Sequence, residues 1–333
     1  MRAIAYSSPF VPVEWIAAHG LAPVRLSPRA GNSLGGEGRC PFMQAYVEQV
    51  AARDDIAAIF TTTCDQMRRA AELAASRPVF LMNVPATWQG QAPGAMYRAE
   101  LQRLGKFLES HGGTSPSLGR LAAVMLRYDG IRSRLKATAG RVDPLRFHEL
   151  TMALASCSLE GLPVLERAID NEAASASSSG EPPSRRIPLA VVGGALTNND
   201  AQVLGLLGRL GGSVVLDATE AGERGMPDAF ADFGASPVAD PLAELVRAYF
   251  DSIGDAFRRP DVRLHDWLTQ QVAARGVRGV VLLRQLWCDL WHAQLDVIRQ
   301  HSRVPVLDIE LAGEAAIPAA LETRLAAFLE MLQ

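Results

Sequence analysis

The sequence has little cysteine, no surplus of charge and no long apolar run. Four cysteines in 333 residues, at positions 40, 64, 157 and 288, are too few and too scattered for a disulfide framework, which leaves thiols, metal ligands or nucleophiles. Lys and Arg number 33 against 36 Asp and Glu, a formal net charge of −3, so no cationic excess is available to neutralise a nucleic-acid backbone. Every apolar stretch, GVRGVVLLRQLW included, is broken by charge or glycine short of the ~20 residues that a membrane-spanning helix needs. The N-terminal stretch is interrupted by Ser7, Ser8, Pro9, Pro12 and Glu14 before an export signal can form, and the protein reads as cytoplasmic. GxSxG, HExxH, P-loop and GxGxxG motifs are missing, so hydrolase, zincin and nucleotide-binding chemistries have no motif to rest on.

What is present is a folding chain. With 48% hydrophobic and 21% charged residues it is not disordered, and its length suits two domains. Short β-branched runs alternate with helical periodicity, the pattern of parallel sheets covered by helices. Strands are expected at Ile4–Tyr6, Val24–Leu26, Ile56–Thr61 and Val79–Met82, and an amphipathic helix over Tyr97–Ser110. From Pro116 to about Asn171 the pattern is helical, with Leu118, Leu121, Met125 and Ile131 on one face and Leu145, Leu150 and Leu154 later. Residues 171–186, rich in Ser, Ala, Glu and Pro, read as a solvated linker. A second unit follows, with strands at IPLAVVGG, Ser213–Asp217, Val277–Leu283 and Val304–Ile309 and a closing helix through Leu321, Leu325 and Phe328. The expectation is an α/β protein of two Rossmann-like or flavodoxin-like parallel-sheet domains, 1–115 and 187–333, joined by a helical bridging segment and linker, 116–186.

Three of the cysteines share a context. Cys40 precedes Pro41 after a glycine-rich loop, and proline favours the first position of a helix. Cys64 and Cys288 each follow an apolar strand, precede an aspartate and open a helix. Helix N-termini stabilise thiolates, and strand ends of open α/β sheets converge on a crevice, so distant cysteines can meet around one metal centre. The competing reading is that each is a small buried hydrophobe; a third pairs Cys288 with His292, four residues on, as half of a zinc site. Cys157, in the apolar stretch LTMALASCSLEGL, reads as packing.

At these residues the sequence resembles the catalytic subunits of the 2-hydroxyacyl-CoA dehydratases and the related ATP-dependent benzoyl-CoA reductases. The resemblance runs in order through GLAPVRL, the Cys40 loop, TTTCDQMRR, PVFLMNVP and its following helix, RIPLAVVGG, GGSVVLDATEAGER, the Cys288 motif and TRLAAFLEML. It implies that Cys40, Cys64 and Cys288 bind one 4Fe-4S cluster with one iron left open. It also implies an acyl-CoA substrate and a separate ATP-hydrolysing activator that delivers single electrons, so that ATP binds that partner. In the dehydratases a ketyl radical expels the hydroxyl group, a lyase reaction; in the reductases a ring is reduced, an oxidoreductase reaction. The working assembly would be a homodimer or a heterodimer with a second homologous subunit, and a non-catalytic electron-relay or scaffold role is the alternative. Four cysteines exclude the double-cubane members, and Glu220 stands where many members have a cysteine.

Four further positions are candidates for substrate binding. Gly193 and Gly194 follow a strand, where backbone N–H groups can meet a thioester or phosphate, or simply form a tight turn. Arg39 and Arg68, with Arg69 beside it, can offset cluster charge or take CoA phosphates, or can be solvated. Asp65 and Asp289 read as complements to helix dipoles, and Trp287 and Trp291 as core or as shields of a crevice.

Overall fold

A computed structural model describes residues 3–29, 38–178, 186–231 and 240–333. Two all-parallel four-stranded sheets organise it. The first contains β1 (Ala3–Tyr6), β2 (Ala22–Arg25), β3 (Ile56–Thr61) and β4 (Val79–Met82) in the order β2-β1-β3-β4. The second contains β5 (Ile187–Gly193), β6 (Gly212–Ala218), β7 (Gly279–Gln285) and β8 (Val306–Leu311) in the order β6-β5-β7-β8. Both are the flavodoxin-like 2-1-3-4 order, so each sheet has one point where the winding reverses, between β1 and β3 and between β5 and β7. Every residue of β3 is buried, as are all but one in each of β5 and β7, because parallel central strands are covered on both faces.

The helices are α1 (Val13–Ala18), α2 (Pro41–Ala51), α3 (Asp65–Leu73), α4 (Ala92–Ser110), α5 (Leu118–Lys136), α6 (Pro144–Ala155), α7 (Leu162–Ser178), α8 (Gln202–Arg209), α9 (Pro241–Leu245), α10 (Val262–Ala274), α11 (Asp289–Ser302) and α12 (Ala319–Met331). One face of the first sheet packs against α2 and α3 through Phe42, Tyr46, Val50 and Met67. Its other face meets α1 and α4 to α7. The second sheet lies between α8 with α12 and α10 with α11.

Helix α6 is the bridge expected from sequence: Leu150 and Leu154 enter the first core while Leu145 packs on the second. Besides shifts of up to two residues in strand ends and an earlier start of α4, at Ala92 instead of Tyr97, two details differ from the sequence reading. Residues 171–178 continue α7 instead of starting a linker, since alanine is the best helix former and outweighs the serines; residues 179–185 lie outside the described residues. Leu118, expected inward, is exposed, while Leu121, Met125 and Ile131 are buried. The stretch between Met226 and Phe257 follows the second sheet's strand β6 in the chain yet contributes Met226, Phe230, Leu245 and Phe250 to the first core. Residues at or just past the carboxyl ends of β1, β3, β5 and β7 line one pocket.

Candidate metal centre

Each of the three cysteines caps a helix. Cys40 precedes Pro41 at the start of α2 in extended conformation. Cys64 caps α3, its Sγ accepting the Met67 backbone N–H at 3.3 Å. Cys288 caps α11. Since β3 runs into Cys64 and β7 into Cys288, both lie at the carboxyl ends of strands flanking the two reversal points, where α/β sheets open their crevice. All three cysteines line one cavity with about 700 Å³ of empty space. The segment Ser7 to Phe10, after β1, and Gly194 with Ala195, after β5, complete the rim. The glycine-rich residues 30–37 before Cys40 lie outside the described residues, but Cys40 is tied to α3: its N–H donates to Gln66 Oε1 at 3.3 Å, and Gln66 Nε2 donates to the Gly38 carbonyl at 2.9 Å.

Burial pushes the Cys40 and Cys64 thiols up to about 12 and raises Cys288 as well. Helix N–H groups pull each down, as expected from the sequence, but desolvation is larger. Neighbouring thiols add to the rise: Cys288 acts on Cys40, and both act on Cys64. Three sulfurs that feel one another at one pocket become thiolates more readily when a cationic group compensates them. Among the described residues, no group of three or more His, Cys, Asp or Glu gathers around the position of a single metal ion.

Behind the cavity sits Arg224, which no local sequence pattern singles out. Its guanidinium, 1% exposed, donates to the carbonyls of Ala218 (2.9 Å), Gly254 (2.9 Å) and Gly193 (2.9 Å) and to Asp255 Oδ2 (2.6 Å). It also lies 4.9 Å from the Trp291 ring centroid. It thus fixes the ends of β5 and β6 and two residues of the cavity wall. Glu220, in the same wall, is pushed up to about 7 by burial, against the pull of Arg25, whose Nη2 is 3.8 Å from its carboxylate.

The remaining candidates divide. Gly194 lines the cavity, and a Cβ there would stand 3.0 Å from Trp291 Cδ1 and Nε1. Gly193 is buried behind it, with its carbonyl on Arg224, and a Cβ there would fall 2.0 Å from the Leu283 carbonyl oxygen. Arg39, Arg68 and Arg69 are exposed and outside the cavity wall, and Arg69 pairs with Glu72. His292 is exposed and off the wall, so Cys288 gains no imidazole there. Asp65 and Asp289 sit in the first turns of α3 and α11. Trp291 is buried in the wall, whereas Trp287 is 47% exposed with a left-handed φ of 65°. Cys157 lies just past the end of α6, half-buried against the first core and away from the cavity.

In comparison with known proteins, residues 9–332 match the family described as 2-hydroxyglutaryl-CoA dehydratase, D-component. No curated protein matches the chain.

Proposed function

The chain belongs to the 2-hydroxyglutaryl-CoA dehydratase, D-component, family, and on that premise we propose that it is the cluster-bearing component of a 2-hydroxyacyl-CoA dehydratase, with Cys40, Cys64 and Cys288 as the ligands of one 4Fe-4S cluster. The observation that carries this reading is the convergence of three helix-capping cysteines from distant parts of the chain on one cavity. Such a cluster, when bound, supplies single electrons and one iron open to an oxygen ligand. The chain's own residues exclude water and hold the thioester end against the rim formed by Ser7 to Phe10 and Gly194. Glu220, with its pKa near 7, holds a proton at its carboxyl that is available to the departing hydroxyl oxygen. A single electron from an ATP-dependent activator would convert the thioester carbonyl to a ketyl radical anion that expels the 2-hydroxyl, which leaves as water with the Glu220 proton; loss of a β-proton and return of the electron would complete a redox-neutral elimination. The partner is a second homologous subunit or a second copy. No described helix is long and apolar enough to cross a membrane, and a cytoplasmic location fits this reading.

The test is turnover of the anaerobically purified holoprotein with activator and ATP on 2-hydroxyacyl-CoA thioesters, assayed as enoyl-CoA formed. Formation of enoyl-CoA by the wild type and its loss in Cys64→Ser are expected. A full cluster and a competent activator without any enoyl-CoA product would overturn the reading.

A further inference from the structure

The cavity wall has a charge character that bears on the acyl group. Among the described residues, no Lys, Arg or His lines it, whereas two carboxyls do, Glu220 and Asp255. The arginines behind these carboxyls donate to neighbouring backbone and carboxylate oxygens, Arg224 through Nε, Nη1 and Nη2 and Arg25 through Nε and Nη2. Arg224 serves three carbonyls and Asp255, and Arg25 donates to the Ser7 carbonyl at 2.8 Å and the Glu220 carbonyl at 3.0 Å. Much of the remaining wall is apolar, from Pro9, Phe10, Phe42, Met43, Leu290 and Trp291.

Gln285 adds a directional observation. It is 5% exposed and lines the cavity; its Nε2 donates to Asp200 Oδ2 at 2.7 Å and to the Ala195 carbonyl at 3.2 Å, while its Oε1 has no partner. A buried acceptor without a donor is costly, and the 2-hydroxyl common to all such thioesters is a donor of the right kind, so this atom bears on the shared hydroxyl and not on the rest of the acyl chain. We infer that the site takes a 2-hydroxyacyl thioester whose acyl chain is uncharged and apolar, aliphatic or aromatic, and discriminates against the dicarboxylic hydroxyglutaryl chain in its family's description. The inference rests on the dehydratase reading. A second carboxylate would leave water for a largely apolar wall that, among the described residues, offers it no cation, a transfer that goes strongly uphill.

The experiment compares binding of 2-hydroxyisocaproyl-CoA and 2-hydroxyglutaryl-CoA to the anaerobic holoprotein by equilibrium dialysis. The CoA portion is common, so the difference belongs to the acyl chain. The branched aliphatic thioester is expected to bind at least about a hundredfold more tightly, and Leu290→Lys to narrow that ratio at least tenfold by tightening the glutaryl thioester alone. Equal binding, or tighter binding of the glutaryl thioester, overturns this inference and leaves the dehydratase reading standing. Binding of neither thioester with the cluster intact overturns the dehydratase reading and this inference with it. The wild-type comparison decides the matter even where the lysine variant does not fold.

Discussion

Replacing Arg224 with Met removes the group that ties the two central features of the site together. The guanidinium is almost wholly buried and serves Asp255 and three backbone carbonyls from β5, β6 and Gly254. Removing one partner of a buried ion pair costs about 3–5 kcal/mol, and each carbonyl left without a donor adds about 1–3 kcal/mol before the backbone relaxes. A loss of at least about 5 kcal/mol is therefore expected once the backbone relaxes, comparable with the whole stability of a marginal domain. Arg224→Lys keeps the charge beside Asp255 but cannot reach all three carbonyls, so a loss of about 2 kcal/mol is expected. Guanidinium denaturation of the metal-free protein measures both, with Arg68→Met, at an exposed position outside the wall, as a control expected within about 0.5 kcal/mol of wild type. If both Arg224 variants matched that control, the claim that this side chain organises the cavity would be refuted.

Two other outcomes follow from the same wall. Glu220 has a folded pKa raised from 4.5 to about 7, so the native state binds more protons than the unfolded state between these values. Stability from this group is thus fully present below pH 4.5 and lost as pH rises toward about 7; Glu220→Gln should flatten that part of the stability profile of the metal-free protein, and an unchanged slope would contradict the assignment. At the end of β5, Gly193→Ala should be far more damaging than Gly194→Ala, because its Cβ meets the Leu283 carbonyl at 2.0 Å, whereas that of Gly194 meets the Trp291 side chain at 3.0 Å. About 1–3 kcal/mol is expected for Gly194→Ala as Trp291 shifts, and more than 4 for Gly193→Ala; equal denaturation midpoints would show that the strand pairing yields more easily than its geometry implies.

The sequence made the sheets and the helix-capping cysteines legible because both are local. Strands such as Ile56–Thr61 are continuous apolar runs, and Pro41, Asp65 and Asp289 mark helix starts. Strand ends shifted by two residues where a run met its neighbour, as in β7 and β8, since ladder register and not composition sets the boundary. The cavity itself is a tertiary fact: it needs two sheets facing each other, which depends on α6 touching both cores and on the stretch around Phe250 returning to the first. Arg224 was invisible because an arginine in ATEAGER looks solvated until its carbonyl partners are known. Arg68 and Arg69 were placed near the site by their distance along the chain from Cys64, yet Met67, Ala70 and Ala71 take the inward face of α3 and leave both arginines outside. The two tryptophans parted for the same reason: Trp291 falls on the buried face of α11, and Trp287 on the loop before it. The expected lowering of the thiols by helix ends was real in sign, but depth of burial, which no local pattern encodes, reversed the outcome.

The most direct test of the three-cysteine centre is iron and acid-labile sulfide per chain after strictly anaerobic purification, in wild type and in Cys40→Ala, Cys64→Ala, Cys157→Ala and Cys288→Ala. About four iron and four sulfide per chain are expected in the wild type and the Cys157 variant, with loss in the other three. No iron after reconstitution, or full retention in the Cys40, Cys64 and Cys288 variants, would contradict the account.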